Sequence, residues 1–245
     1  MRLSVLEIKL FLREPLTVVF SIALPLVMLF VLGGVFGNDP ADPDEMVVYR
    51  GEGPMDYYVP AYLALVVASV AIISIPAHLA GSRERGVLRR FQASSVSALA
   101  IAGSQVVVTL ALSIVSAGVL VVAAVVAYDF QGPGSVAGVV GAFVLLGLAY
   151  SALGILLGAL LPTARAAQAL GMIIWFVMLM LGGAGPPPEV LTGAMSTIRV
   201  LTPLWHGVAV MQDEWLGLDP GGSWFVVVGL LLVCGTIAVR WFRWE

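Results

Sequence analysis

Six stretches of eighteen residues or more carry no Asp, Glu, Lys or Arg, at residues 17–36, 58–80, 101–128, 135–161, 166–185 and 222–239. A helix needs about 20 mostly apolar residues to cross roughly 30 Å of hydrocarbon. Each stretch is therefore read as a transmembrane helix. Outer-membrane strands are a poor alternative, because they show segments of about ten residues with alternating hydrophobicity, and these runs are continuous. The chain is 60% apolar and 11% charged, against roughly 25% charged in soluble proteins, which excludes a water-soluble globule. The expected architecture is an all-α membrane protein with a single transmembrane domain over residues 1–245. The third and fourth runs exceed what a bilayer requires and must tilt or protrude. Pro25 and Pro76 lie inside the first two runs, where a missing N–H and a ring clash are expected to kink a helix.

Orientation follows from the basic residues, since cytoplasmic loops are enriched in Lys and Arg. Arg2, Lys9 and Arg13 precede the first run; Arg83, Arg85, Arg89 and Arg90 follow the second; Arg165 follows the fourth; Arg240 and Arg243 follow the sixth. All ten fall on one side. Arg50 and Arg199 are the basic residues of the other side, which also holds most of the acids. Both termini are thus expected in the cytoplasm, consistent with six crossings. The first run is too long for a signal-peptide core and no small-x-small site precedes Asn38, so it is expected to remain in the mature chain.

Several chemistries are excluded. A P-loop needs Gly-Lys-Ser/Thr to hold phosphates, and the single lysine sits in Ile8-Lys9-Leu10. The hydrocarbon runs contain no Asp and no Gly-x-Ser-x-Gly elbow, which argues against intramembrane hydrolysis. Ion-coupled carriers place ionisable groups near the midplane, and none is found there. His78, His206 and Cys234 are scattered, so no metal site is expected; Cys234 is expected to pack as a small hydrophobe, His78 to lie at a helix end near phospholipid phosphates and His206 to be an interfacial polar residue. Any transport performed here draws its free energy from another polypeptide.

The densest charge cluster follows the second run: Gly81-Ser82-Arg83-Glu84-Arg85-Gly86-Val87-Leu88-Arg89-Arg90-Phe91. Taken as composition, it is a positive-inside anchor on anionic lipid. Taken as pattern, it is a short amphipathic helix, with Val87, Leu88 and Phe91 forming an apolar patch that a partner's groove could accept. Gly86 would allow a tight turn before it. In the first fifteen residues, Arg2, Lys9 and Arg13 share one edge of a helical wheel and Val5, Ile8, Phe11 and Leu12 an apolar face, as in an interfacial helix.

With Arg83, Glu84, Gly86 and Leu88 in register with the loop pattern Glu-Arg-Glu-x-Gly-Thr-Leu-Glu-x-Leu-x-x-x-Pro, the chain resembles the membrane subunit of type-2 ATP-binding cassette exporters. Ser82, Val87, Arg89, Phe91 and Ser95 depart from that pattern. The resemblance implies a coupling helix formed by Arg83, Glu84, Arg85, Gly86, Leu88, Arg89 and Phe91 and seated on a cytoplasmic ATPase, two copies of which would bind ATP and Mg. It also implies an N-terminal elbow helix, a second permease copy or a related permease, and a place in the plasma membrane. An arginine-rich, lysine-poor composition points to a GC-rich, bacterial genome. No cofactor is expected on this chain.

Between the fifth and sixth runs, residues 186–221 are too apolar for a solvated loop. Thr202-Pro203-Leu204-Trp205-His206 resembles the Asn-Pro-Leu element of the same family, with Thr202 in place of Asn. Re-entrant helices capping the outward exit, with Pro203, Leu204, Trp205 and His206, are expected, and Trp205, Trp215 and Trp224 fit an aromatic belt. Gly147, Ser151, Gly154 and Gly158 put small residues on one face of the fourth run, where another helix backbone can approach. The expected function is the permease subunit of an exporter of hydrophobic or amphipathic small molecules or lipids. A non-transporting membrane scaffold with a lipid-binding basic loop is the alternative.

Overall fold

The computed structural model describes residues 15–37, 48–128, 132–187 and 190–241, and among them all regular structure is helical. Six helices are long and apolar enough to cross a membrane: Leu16–Val35, Pro54–Glu84, Ala98–Ala127, Val136–Leu160, Ala164–Leu181 and Ser223–Arg240, hereafter the first to sixth spans. The interfacial helix expected around Arg2, Lys9 and Arg13 lies outside the described residues.

Local chemistry sets the helix starts. Ser97, Ser135 and Thr163 stand at the N-caps of the third, fourth and fifth spans, where their hydroxyls accept from the N–H groups of Ala100, Gly138 and Ala166 at 3.0–3.1 Å, satisfying donors that the helix cannot pair itself. Pro54 occupies the first turn of the second span, where a missing N–H costs nothing. The fifth span ends sooner than expected. Its helix stops at Leu181, because Gly182 and Gly183 follow and Gly183 takes a positive φ of 83°. The second span runs longer, from Pro54 to Glu84, since its polar ends Asp56 and Ser82 are buried by neighbouring elements rather than left to a loop.

Helix geometry changes before both prolines. Proline at position i cannot donate to the carbonyl of i−4 and its ring pushes that carbonyl away. Just before Pro25 the helix widens to π geometry over Val19–Ala23, and just before Pro76 over Val70–Ser74. Each π segment contains the affected carbonyl, Ser21 in one and Ile72 in the other.

The second span is the central column: 89% of its apolar window is buried, against 17–28% for the first, third, fifth and sixth. Its π segment is gripped from two sides. A methyl group added to Gly154 of the fourth span would collide with the carbonyl oxygen of Ala71, and one added to Gly171 of the fifth with that of Ile72. Gly158 sits against Pro76 and Leu79 in the same way. Gly147 instead receives Leu110 of the third span. The small-residue face of the fourth span therefore packs within this chain, against the second and third spans, and Ser151 on that face is fully buried. Aromatic groups complete the column: Trp175 of the fifth span donates its Nε1 proton to Ser69 at 2.8 Å and meets Phe20 of the first edge-on at 4.8 Å.

This packing predicts that Gly154→Ala lowers stability by about 1–3 kcal/mol through overpacking. Gly141→Ala in the same helix, where no described residue lies within 4 Å of the added methyl, is expected to change it by less than about 1 kcal/mol and in the stabilising direction. Thermal unfolding of the two variants in detergent checks the pair.

Candidate functional site

Two polar regions lie at opposite ends of the spans. The first surrounds Gly86. The second span ends at Glu84, Arg85 caps it, and Gly86 adopts left-handed geometry at φ 68°, ψ 14° before a new helix, Val87–Ala93. Among the described residues nothing would lie within 4 Å of a Cβ at Gly86, and its left-handed backbone conformation calls for glycine there. The Gly86 N–H donates to the Arg83 carbonyl at 2.9 Å and closes the turn.

This turn is fastened to the bundle at two points. The Arg83 guanidinium donates to the carbonyl oxygens of Gly158 at 3.2 Å and Ala159 at 3.4 Å, and to that of Leu161. These are unpaired carbonyls at the C-terminal end of the fourth span, and a cation there also meets the negative end of the helix dipole. Leu88 supplies the second fastening, being only 1% exposed and part of the main apolar core, with Phe91 and Val96 packed beside it. The apolar patch read from the sequence thus faces this chain's own spans: leaving Leu88 in water would forfeit about 1.5–3 kcal/mol of burial, and the spans are near enough to cover it. The exposed face carries Glu84, Arg85, Arg89 and Arg90.

The second region ties the segment between the fifth and sixth spans to the one between the first and second. After a short helix Ala194–Ile198 and a 3-10 turn Arg199–Leu201, the chain forms the helix Pro203–Leu216. Pro203 begins it, Leu204 is fully buried, and Trp205 and His206 are half-buried. Both His206 ring nitrogens are engaged, one with Ser223 Oγ at 3.1 Å and one with the Val200 carbonyl at 2.8 Å. Trp205 lies under the Arg199 guanidinium, 4.5 Å from the ring centroid. Trp215 is buried at 4% exposure, so it packs in the core and is not part of an aromatic belt; the helix it ends is sandwiched between the second and fourth spans.

Arg50 joins these parts. It donates to Asp213 Oδ1 at 2.9 Å and to Gln212 Oε1 at 3.2 Å, while Gln212 Nε2 donates to the Tyr57 carbonyl at 3.1 Å. Asp213 accepts a further bond from the Gly221 N–H at 3.2 Å. To reach this position Arg50 holds a positive φ of 61°, a strained geometry for a residue with a Cβ. The sequence signal for this pair is that Arg50 is an isolated cation in an acid-rich set of loops, but nothing in the spacing of residues 50 and 213 names the partner.

Near the same end, an apolar cavity of about 690 Å³ opens between the first and fifth spans, lined by Val27, Met28, Val31, Tyr58, Met180 and Pro186 among others. Among the described residues no group of His, Cys, Asp and Glu is arranged to hold a metal ion.

The Arg50 contacts yield an expectation. Arg50→Met leaves the buried Asp213 carboxylate without its cation and is expected to cost about 1–3 kcal/mol, whereas Arg50→Met combined with Asp213→Asn is expected to cost less than the sum of the two single changes. A double-mutant cycle on thermal unfolding measures the difference.

Comparison with known proteins gives no match among curated proteins. The family described as ABC-2 type transporter matches residues 2–213. That match takes in the first five spans, the Gly86 turn and the Pro203–Leu216 helix as far as Asp213. Family permeases lack an ATPase of their own and work with separate ABC ATPase subunits. The chain belongs to the ABC-2 type transporter family, as a multi-pass membrane permease subunit.

Proposed function

We propose that this permease is an exporter gate whose Gly86 side faces the cytoplasm and seats on a nucleotide-binding subunit through the exposed face of the Val87–Ala93 helix. The observation that carries the reading is the double fastening of that helix. Leu88 anchors it in the core and Arg83 clamps the preceding turn to the end of the fourth span. A displacement imposed on Arg89 and Arg90 would therefore reach the second and fourth spans together. Within the set of coupling residues, Glu84, Arg85 and Arg89 are contact residues, joined by the neighbouring exposed Arg90; Arg83 and Leu88 transmit, Phe91 packs against the core, and Gly86 shapes the turn.

The cargo is hydrophobic or amphipathic. Support comes from the apolar lining of the 690 Å³ cavity and from span interiors without fixed charge, where a strongly charged molecule would lose hydration without compensation. Pro203, Leu204, Trp205 and His206 belong to a cap on the outward side, held by Arg50. Two permease copies enclose the route, each driven by ATP and Mg bound to its ATPase partner. The apolar faces that the first and fifth spans leave exposed, at Val27, Val31, Ile173 and Phe176, suit contact with that second copy or with lipid.

The test separates contact from transmission. Arg89→Glu with Arg90→Glu is expected to lower ATP-driven efflux from vesicles about tenfold, equivalent to roughly 1.4 kcal/mol of coupling, and to leave thermal stability within about 0.5 kcal/mol. Arg83→Met is expected to lower stability by about 1–3 kcal/mol because three helix-end carbonyls lose their cation. Undiminished efflux in the Arg89, Arg90 variant would refute the docking assignment.

A further inference from the structure

The third and sixth spans both pack on the fourth and leave an apolar furrow of about 250 Å³ between them on the Gly86 side. Half of its twelve lining residues are Ala or Gly, among them Ala102 and Gly103 of the third span, Ala152 of the fourth and Gly235 and Ala238 of the sixth. The others are Leu, Val and Ile, so no lining side chain carries a charge or a hydrogen-bonding group. The small residues are what keep the space open. Among the described residues nothing lies within 4 Å of a Cβ built on Gly103, and the nearest atom to one on Gly235 is the Ala152 Cβ at 4.0 Å.

The dimensions select the occupant. The furrow runs from Ala98 to Val106 along the third span and from Val239 back to Leu231 along the antiparallel sixth, which is about 12 Å of helix on each. One leaflet contributes about 15 Å of the bilayer's hydrocarbon, so the furrow has nearly the depth of a leaflet. Spread over its length, the volume leaves a cross-section of about 20 Å². A helix with side chains is about 10 Å across and needs about 80 Å², so a span of a second copy is too wide. A single hydrocarbon chain, whose carbons meet their neighbours at about 4 Å, fits. Water does not compete for the space, because an apolar cavity offers it no partners.

The mouth of the furrow carries a matching charge. Arg240 ends the sixth span, next to Val239 of the lining; it is exposed and paired with no described acid. Trp241 beside it is 59% exposed, and a Trp in that position sits at the level of lipid headgroups. On the whole Gly86 side, Glu84 is the one acid among the described residues, against six arginines. We propose that this furrow holds one acyl chain of an anionic phospholipid from the leaflet on the Gly86 side, with the lipid phosphate on Arg240. Basic pockets between spans recognise anionic headgroups in this way. Ile155 of the lining lies one turn before Gly158, so the bound chain braces the end of the fourth span that Arg83 clamps.

The test uses the full permease in phosphatidylcholine vesicles containing a trace of phosphatidylglycerol with a photoactivatable diazirine on its acyl chain. After illumination the labelled peptides are mapped by mass spectrometry, with unlabelled phosphatidylglycerol or phosphatidylcholine of the same chain length as competitor. Labelling is expected to concentrate in residues 98–106 and 231–239, and phosphatidylglycerol to compete about fivefold better than phosphatidylcholine, the ratio that one arginine at the membrane surface supplies. Arg240→Gln is expected to abolish that preference, and Arg165→Gln, a change to an exposed arginine on the same side but at the fifth span, to leave it intact. Gly103→Leu fills the furrow and is expected to lower labelling of residues 231–239 about tenfold. Gly118→Leu, at an equally open position of the same helix outside the furrow, is expected to leave it unchanged. Labelling as strong at the exposed Val122 and Val126 as inside the furrow means bulk lipid only and overturns the proposal. So do equal competition by the two lipids, a preference lost as fully in Arg165→Gln as in Arg240→Gln, or undiminished labelling in Gly103→Leu.

Discussion

The contact on which the rest of the fold depends is between backbones. Gly154 and Gly171 let the fourth and fifth spans close on the carbonyls of Ala71 and Ile72, where Pro76 has forced the second span into a π turn. In hydrocarbon there is no hydrophobic drive between helices, so association rests on close packing and on pairing polar groups. Glycine supplies the closeness, and the displaced carbonyls supply a polar surface that must be covered by protein. The π segment of the most buried helix is thus the place where three spans meet, and Ser69 and Ser74 at its two ends are hydrogen-bonded to Trp175 and Thr17.

From that centre the two ends follow by different chemistry. At the Gly86 end the second span leaves the bundle and is recaptured by Arg83, which neutralises the carbonyl end of the fourth span, and by Leu88, which returns the chain to the core. At the other end the Pro203–Leu216 helix is inserted between spans and held by Arg50 through Gln212 and Asp213. A span gripped in the middle and clamped at one end responds to a push there as a lever does. This is the property that a permease without an ATPase needs if a separate subunit is to drive it.

Much of this was legible in the residues themselves. The six spans appear in the charge-free runs within a few residues, because a bilayer tolerates few alternatives to long apolar helices. Gly86 was readable as a turn, and Gly147, Ser151, Gly154 and Gly158 as a packing face, because their spacing matches the helix period. The facing partners were not readable. Leu88 and Phe91 looked like a docking patch since amphipathicity does not say which surface an apolar face meets. Arg83 looked like one charge in a basic cluster, although its reach to Gly158, Ala159 and Leu161 depends on how the second and fourth spans align. Trp215 fitted an interfacial belt by composition and is buried by tertiary packing.

The lever account stands or falls on whether the Gly86 turn and the end of the fourth span move as one body. Paired spin labels at Gln92→Cys and Pro162→Cys, in a Cys234→Ala chain assembled with its ATPase, report that separation by pulsed electron resonance with and without bound ATP. The account predicts an unchanged distance within each subunit while the distance between the two Gln92→Cys labels of paired subunits shifts on ATP binding. A turn that swings away from Pro162 when ATP binds, with the fourth span left in place, would contradict it.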